Sequence, residues 1–183
     1  MSKLKSIAVY CGHQYGTKPE YARDAAKIGA MLAQNGIRMV FGGGNVGLMG
    51  TVASAALEHG GHVTGITTHD VVAKQEPMHE GIDAFEIVDG VNERKQKMFE
   101  LSDGFIILPG GTGTLNELTD IMTMQQIGET NKPLFFMNTE NFWGPFARLL
   151  VHMKRAGFFV HPEDYNLHGA RTAEELMEKV LNY

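Results

Sequence analysis

The sequence predicts one Rossmann-like α/β domain over residues 1–183, a three-layer fold with helices on both faces of a parallel sheet of about six to seven strands. Three observations favour it. Short apolar runs alternate with stretches of helical period, the central runs are apolar throughout, and glycine-rich turns follow two of them. A chain of 183 residues, 43% of them hydrophobic, can bury one such core.

Six apolar runs rich in β-branched and aromatic residues are the predicted strands, at 7–10, 37–41, 62–67, 85–88, 105–108 and 134–137. The stretches of helical period predict helices at 19–35, 47–59, 91–102, 114–127, 142–156 and 173–182. Ligands of such folds bind at the carboxyl ends of the strands, so the loops at that edge are the candidates for a functional site.

Residues typical of helix ends support these bounds. Thr17 stands three residues before Glu20, and Thr172 stands three before Glu175, which is the spacing of a capping box. Each threonine is therefore predicted to cap a helix. Gly36 follows the first helix, where a residue in the left-handed conformation would end it.

Charge and cysteine content narrow the classes of function. The net charge is −5, so no basic field attracts nucleic acid or an anionic membrane. Cys11 is the single cysteine, which excludes an internal disulfide and a thiolate cluster, and the histidines show no zinc motif. The first apolar run soon meets Gly12 and His13, too early for a signal peptide or a membrane span. We expect a cytoplasmic protein without a bound metal.

The first glycine-rich turn, FGGGNVGLMG at 41–50, contains the G-x-G-x-x-G spacing at Gly42, Gly44 and Gly47. Glycines let backbone N–H groups approach an anion, and the helix N-terminus adds partial positive charge, so Gly44 and Asn45 are candidate substrate-binding residues. The alternative is a tight turn that needs glycine only for packing. A nicotinamide enzyme is disfavoured, because the next strand runs into Thr67 rather than into an acid for the ribose.

The second turn, PGGTGTLNE at 109–117, has its own simpler explanation. Thr114 and Glu117 have the spacing of a capping box, but that leaves Pro109 and three glycines unexplained. Those residues indicate a second anion-binding turn at the same edge of the sheet. Two such turns favour a mononucleotide or a sugar phosphate. Because Glu117 would repel a phosphate, its presence there suggests a catalytic role.

A third group of residues, NERKQKM at 92–98, supplies a cation. On a helix, Arg94, Met98 and Leu101 fall at i, i+4 and i+7, which places the arginine at the head of the apolar stripe. Arg94 either packs its stem and solvates its charge or faces a bound phosphate. Because the chain is acidic, a phosphate site would need a local cation. Arg94 with Lys95 is the densest cluster of positive charge that could supply it.

The segments GGGNVGLMG, ERK and PGGTGTLNE, in this order, resemble the LOG (Lonely Guy) family, cytokinin-activating phosphoribohydrolases formerly described as lysine decarboxylases. The resemblance implies a homodimer without cofactor that hydrolyses the N-glycosidic bond of AMP or of a cytokinin riboside 5′-monophosphate, releasing free base and ribose 5-phosphate. It implies Arg94 and Glu117 as the catalytic groups. The implied substrate-binding residues are Glu76, Lys95, Gly110, Gly111, Thr112, Gly113, Thr114, Asn116 and Thr123.

The chemistry explains why these groups are needed. Cleavage of a ribosyl C–N bond passes through an oxocarbenium-like state, which the Glu117 carboxylate would stabilise while it orients or activates water. Arg94 would hold the phosphate or the ribose, and an additional role in favouring the departure of the base stays open. Val91-Asn92 and His13-Gln14 depart from the family pattern near the expected nucleotide and bear on base preference. A non-catalytic carrier of a nucleotide or a molybdopterin-type cofactor is the alternative, although a carrier gains little from an acid beside phosphate.

Overall fold

A computed structural model describes residues 4–74, 81–159 and 161–183. In this part of the chain seven strands form one parallel sheet: β1 Ser6–Tyr10, β2 Arg38–Phe41, β3 Val63–Thr68, β4 Ala84–Val88, β5 Gly104–Ile107, β6 Leu134–Met137 and β7 Leu167–Ala170. Their order is β4-β3-β2-β1-β5-β6-β7, and each neighbouring pair is parallel. The predicted fold class is confirmed.

Seven α-helices accompany these strands in the described segments: α1 Pro19–Gln34, α2 Gly47–Glu58, α3 His69–Lys74, α4 Val91–Glu100, α5 Thr112–Gln126, α6 Gly144–Arg155 and α7 Ala173–Leu181. Short 3₁₀ turns occur at Thr139–Asn141 and Pro162–Asp164. None of the helices that the structure describes is long and apolar enough to cross a bilayer.

The sheet separates two apolar cores, because its central strands are buried on both faces. Ile7 and Val9 of β1 face a core shared with α1, α2 and α7, whereas Ala8 and Tyr10 face a core shared with α4, α5 and α6. The alternation follows from the two-residue period of a strand. It places α4 and α5, which carry the predicted catalytic groups, on the same side of the sheet.

Helix ends agree with the sequence in part. The Glu175 N–H donates to Thr172 Oγ1 at 3.1 Å, so Thr172 caps α7 as predicted. Gly36 has a φ of +66° after α1, as expected for a helix stop. The prediction for Thr17 is wrong, since Lys18 is the N-cap residue of α1 and no side chain caps that helix. Pro19 at the first helical position makes a side-chain cap less necessary.

The topology fixes where a ligand can approach. β1 lies between β2 and β5, so the chain leaves its two central strands toward opposite sides of the sheet. The loops that follow β1 and β5 therefore separate at their carboxyl ends and leave a crevice between them. The second glycine-rich turn lies in this crevice, because the backbone N–H of Gly12 donates to the carbonyl of Pro109 at 3.0 Å.

Candidate functional site

Arg94 is anchored to the carboxyl ends of β2 and β3. It lies in the first turn of α4, and its Nε donates to the carbonyl of Ile66 at 2.9 Å. The guanidinium also lies against the first glycine-rich turn, where a Cβ added to Gly42 would come 2.0 Å from Arg94 Nη2. Gly42 therefore leaves the space that the guanidinium occupies, so at this position the turn packs on the arginine.

Glu117 faces Arg94 from the second turn of α5. Glu117 Oε1 lies 3.6 Å from Arg94 Nη1, and the two side chains are only 10% and 12% exposed. This separation makes an ion pair but is too long for a hydrogen bond. Burial raises the pKa of Glu117 to about 7, while the nearby charges of Arg94 and Lys95 oppose that rise. The carboxyl group consequently exists in both protonation states near neutral pH.

The second glycine-rich turn leads directly into α5. The helix begins at Thr112 with Gly111 as its N-cap residue, and no side chain caps it. Its first N–H groups therefore have no side-chain acceptor and can donate hydrogen bonds to an anion. The capping-box explanation is wrong: Thr114 lies inside the helix, and its side chain is buried beside Gly110.

Two glycines of this turn are not required by the fold itself. A Cβ added to Gly111 or to Gly113 would meet no heavy atom within 4 Å, and neither residue has a positive φ. The protein thus leaves open space over the backbone at the start of α5. Such space is what a phosphate needs to reach backbone N–H groups.

Lys95 joins α4 to α5 beside Glu117. Its Nζ donates to Asn116 Oδ1 at 3.0 Å and also pairs with the Asp120 carboxylate. A cavity of about 210 Å³ opens between the two helices, with Glu117, Lys95 and Asp120 on its polar side and Tyr10 among its other lining residues. A cation and two carboxyl groups therefore border one small cavity.

A further cavity of about 200 Å³ lies in the crevice between the loops after β1 and β5. Gln14 and Tyr21 line one side of it, and Pro109 and Gly110 line the other. Cys11 precedes this crevice but is buried, and burial raises the pKa of its thiol, so the sulfur is unsuited to act as a nucleophile.

The structure brings together only some of the predicted site residues. Arg94, Lys95, Asn116 and Glu117 converge between α4 and α5, and the residues from Gly110 to Thr114 form the start of α5 beside them. Thr123 does not join them: it is exposed, and its hydroxyl donates to the Thr119 carbonyl at 2.8 Å.

Of the three remaining predicted residues, Gly44 and Asn45 make no hydrogen bond or ion pair with this group in the described part of the chain. The Gly44 N–H is buried and donates to Met49 Sδ at 3.3 Å, while the neighbouring Asn45 is exposed. Glu76 lies outside the described residues. Within the described residues, no group of three or more His, Cys, Asp or Glu side chains could hold a metal ion.

Three groups at the site were not predicted from the sequence. Asp120 stands three residues after Glu117, so helical spacing alone would have placed both carboxylates on one face of α5. Tyr10 is the last residue of an apolar strand, and nothing in the sequence around it indicates a functional site. The Ile66 carbonyl that holds Arg94 cannot be identified from a sequence, since every residue carries the same group.

Comparison with known proteins gives a consistent family. A family model described as "Possible lysine decarboxylase" matches residues 49–180. The cytokinin riboside 5′-monophosphate phosphoribohydrolase LOG of Oryza sativa subsp. japonica is 36% identical over 182 residues, which cover 100% of this chain and 75% of that protein. The cytokinin riboside 5′-monophosphate phosphoribohydrolase of Rhodococcoides fascians is 38% identical over 154 residues, or 84% of this chain and 78% of that one.

Solved structures share the fold at lower identity. The molybdenum cofactor binding protein from Rippkaea orientalis superposes with a TM-score of 0.69 at 22% identity, covering 96% of this chain and 94% of that one. The molybdenum cofactor carrier protein from Chlamydomonas reinhardtii gives a TM-score of 0.69 at 18% identity, with the same coverage of 96% and 94%. Likeness at these identities shows the fold alone.

Proposed function

Because the chain belongs to the LOG family of phosphoribohydrolases, we propose that it converts AMP or a cytokinin riboside 5′-monophosphate to the free base and ribose 5-phosphate. Family membership makes it a hydrolase of an N-glycosidic bond. The choice of nucleotide is the finer part of the proposal. The arrangement of the described site supports a nucleoside 5′-monophosphate as the class of substrate.

One observation carries the proposal: a buried carboxyl group with a raised pKa lies about 1.4 turns from an uncapped helix start. Glu117 follows Thr112 by five residues, which is about 7.5 Å along a helix. That rise is comparable with the distance from the phosphate of a nucleotide to its anomeric carbon. A phosphate bound by the first N–H groups of α5 would thus place C1′ beside Glu117.

The reaction then needs only groups of this chain and one water. Ionised Glu117 stabilises the oxocarbenium-like state and takes a proton from the water that attacks C1′. The electron pair of the C1′–N bond leaves with the base, which takes up one proton from solvent, while Glu117 releases to solvent the proton that it took from water. Arg94, held by the Ile66 carbonyl, supplies a fixed positive charge for the phosphoribose.

The other predicted contacts complete this proposal. Lys95 and Asn116 border the phosphoribose together with the turn at 110–114, and Gly44, Asn45, Glu76 and Thr123 stay predictions as further substrate contacts. A homodimer is also proposed. The exposed apolar side chains of Val91, Leu115 and Ile127 on or next to α4 and α5 support it, because a partner would remove them from water.

The deciding experiment is chromatographic detection of free base released from AMP and from N6-isopentenyl-AMP. Glu117→Gln removes the charge at constant size, and Arg94→Lys keeps a charge but loses the planar guanidinium. We expect the glutamine variant to lose at least about 10²-fold in kcat/KM. Glu129→Gln, an exposed glutamate beyond α5, is the matched control and should keep full activity.

The outcome separates an enzyme from a carrier. If the unmodified protein binds AMP, as measured by calorimetry, but releases no base, the carrier function replaces the proposal. If it releases base and the Glu117→Gln variant does so equally fast, the chemistry belongs to another residue.

A further inference from the structure

Two neighbouring cations of α4 face two carboxyl groups of α5, and each cation has a different partner. Arg94 Nη1 lies 3.6 Å from Glu117 Oε1. Lys95, the next residue, pairs with Asp120. Asp120 follows Glu117 by three residues, so both acids lie on one face of the helix. Both also line the cavity between α4 and α5, so Lys95 borders a cavity with two acids and pairs with one of them.

Lys95 is held by two contacts, one on either side of Glu117 along α5. Its Nζ donates to Asn116 Oδ1 at 3.0 Å and pairs with the Asp120 carboxylate. Asn116 and Asp120 are four residues apart, which is the spacing of neighbours on a helix surface. Within the described residues, Lys95 forms no ion pair with Glu117. The ammonium group thus passes over Glu117 and binds the residues before and after it.

Burial makes a counter-ion necessary for Lys95. Its side chain is only 16% exposed, whereas that of Asp120 is 41% exposed. A mostly buried ammonium group is costly unless it is paired. Without the charge of Asp120, Glu117 would be the remaining acid at the same cavity among the described residues. The flexible four-carbon stem of a lysine would let Nζ turn toward it.

Such a turn would change the acid–base character of Glu117. Burial raises the pKa of this carboxyl group to about 7, the charges of Arg94 and Lys95 oppose the rise, and the charge of Asp120 adds to it. A cation that comes within ~4–6 Å of a carboxyl group typically lowers its pKa by about one to three pH units. A direct pair with Lys95 would therefore cancel much of the rise and leave a weaker base.

We propose that Asp120 is a positioning residue: it binds Lys95 and so keeps the ammonium group from pairing with Glu117. Asp120 does not need to touch the substrate in this role. As a statement about catalysis, the inference rests on the proposed function, in which ionised Glu117 acts on water. The effect of Asp120 on Glu117 itself is a property of the free protein.

The other ionisable groups that face Glu117 in the described residues keep their charge state. Arg94 of α4 stays protonated, and the Ile66 carbonyl holds it in place. Tyr10 at the end of β1 and Cys11 after it both interact with the charge of Glu117. Burial raises the pKa of each of these two groups, so both stay neutral through the pH range in which Glu117 titrates.

The test measures the pKa of Glu117 in the substrate-free protein by ¹³C NMR of its carboxyl carbon, assigned by the loss of the signal in Glu117→Gln. We expect Asp120→Asn to lower this pKa by at least about one pH unit. Asp120→Glu keeps the charge and should leave the pKa near that of the unmodified protein. An unchanged pKa in Asp120→Asn, or an equal decrease in Asp120→Glu, overturns the proposal.

A second variant separates the position of Lys95 from the direct effect of the Asp120 charge. In Lys95→Met no ammonium group can turn toward Glu117. Adding Asp120→Asn to this variant should therefore lower the pKa of Glu117 by no more than roughly half as much as it does in the unmodified protein. An equal decrease with and without Lys95 would show that the charge of Asp120 acts directly, and the positioning role would be refuted.

The pH profile of base release from AMP connects the pair to catalysis. In Asp120→Asn the rising limb of log kcat/KM should move to lower pH by the same amount as the pKa of Glu117. Its plateau should fall, because a more acidic group is a weaker base. A lower plateau with an unshifted limb would contradict this role. If the unmodified protein releases no base, the proposed function fails, while the NMR titrations still decide whether Asp120 positions Lys95.

Discussion

The Glu117→Gln variant makes the electrostatics of the site measurable through stability. The pKa of Glu117 is about 7 in the folded protein, against 4.5 for an ordinary glutamate, chiefly because burial disfavours the charged form. Between these two pH values the folded protein retains a proton that the unfolded chain has released. Its free energy of unfolding must therefore fall as pH rises from about 4.5 to about 7, and then level off.

The magnitude follows from the two pKa values. A rise from 4.5 to about 7 corresponds to about 3 kcal/mol, since one pKa unit is worth about 1.36 kcal/mol. Glutamine cannot ionise, so the free energy of unfolding of the variant does not show this decrease with pH. The free energy of unfolding of the variant minus that of the unmodified protein should therefore increase by about 3 kcal/mol between pH 4.5 and pH 8.

Urea unfolding at pH 4.5, 6 and 8 measures the difference in free energy of unfolding between the two proteins. Glu129→Gln controls for the loss of a glutamate charge at an exposed position. A difference between Glu117→Gln and the unmodified protein that stays constant across this range would show that burial does not govern Glu117. A change of opposite sign would show that Arg94 outweighs burial, so that the carboxylate is stabilised as an ion.

The remaining predictions concern activity and one helix cap. Because the proposed mechanism has ionised Glu117 act on water, log kcat/KM for base release should rise with pH and level off above about 7; a fall through that pH would make Glu117 the acid instead. Gly42→Ala places a Cβ 2.0 Å from Arg94 Nη2 and should lower base release at least about tenfold, whereas Gly169→Ala should not. Thr172→Ala removes the cap of α7 and should cost about 1 kcal/mol in urea unfolding without changing kcat/KM.

Most of the sheet could be predicted from the sequence because its central strands are buried on both sides. β5 and β6 consist almost wholly of large apolar residues, so their composition alone marks them. β7 was missed because it is a short edge strand with sequence LHGA, in which only Ala170 is buried. α3 was missed because six residues are too few to show a helical period.

The site was predictable where local pattern determines it and not where distant segments meet. Spacing along one helix placed Arg94 at the head of the apolar face of α4, and the turn before α5 placed Glu117 near a helix start. The glycine spacing at 42–47 predicted a phosphate or a tight turn. The contact of Gly42 with Arg94 joins the loop after β2 to α4, and no local sequence pattern encodes such a tertiary contact.

The 3.6 Å separation of Arg94 and Glu117 decides what the pair can do. A direct hydrogen-bonded pair would hold the pKa of Glu117 low and leave a weakly basic carboxylate that is already neutralised. In this protein the Ile66 carbonyl fixes Arg94 Nε, so the guanidinium keeps its place without a hydrogen bond to Glu117. The carboxyl group can then gain or lose a proton near neutral pH while the cation stays available for the proposed phosphoribose. Anchoring the arginine on the sheet rather than on the glutamate is thus what would let one site hold the anion and the base that the proposed reaction needs.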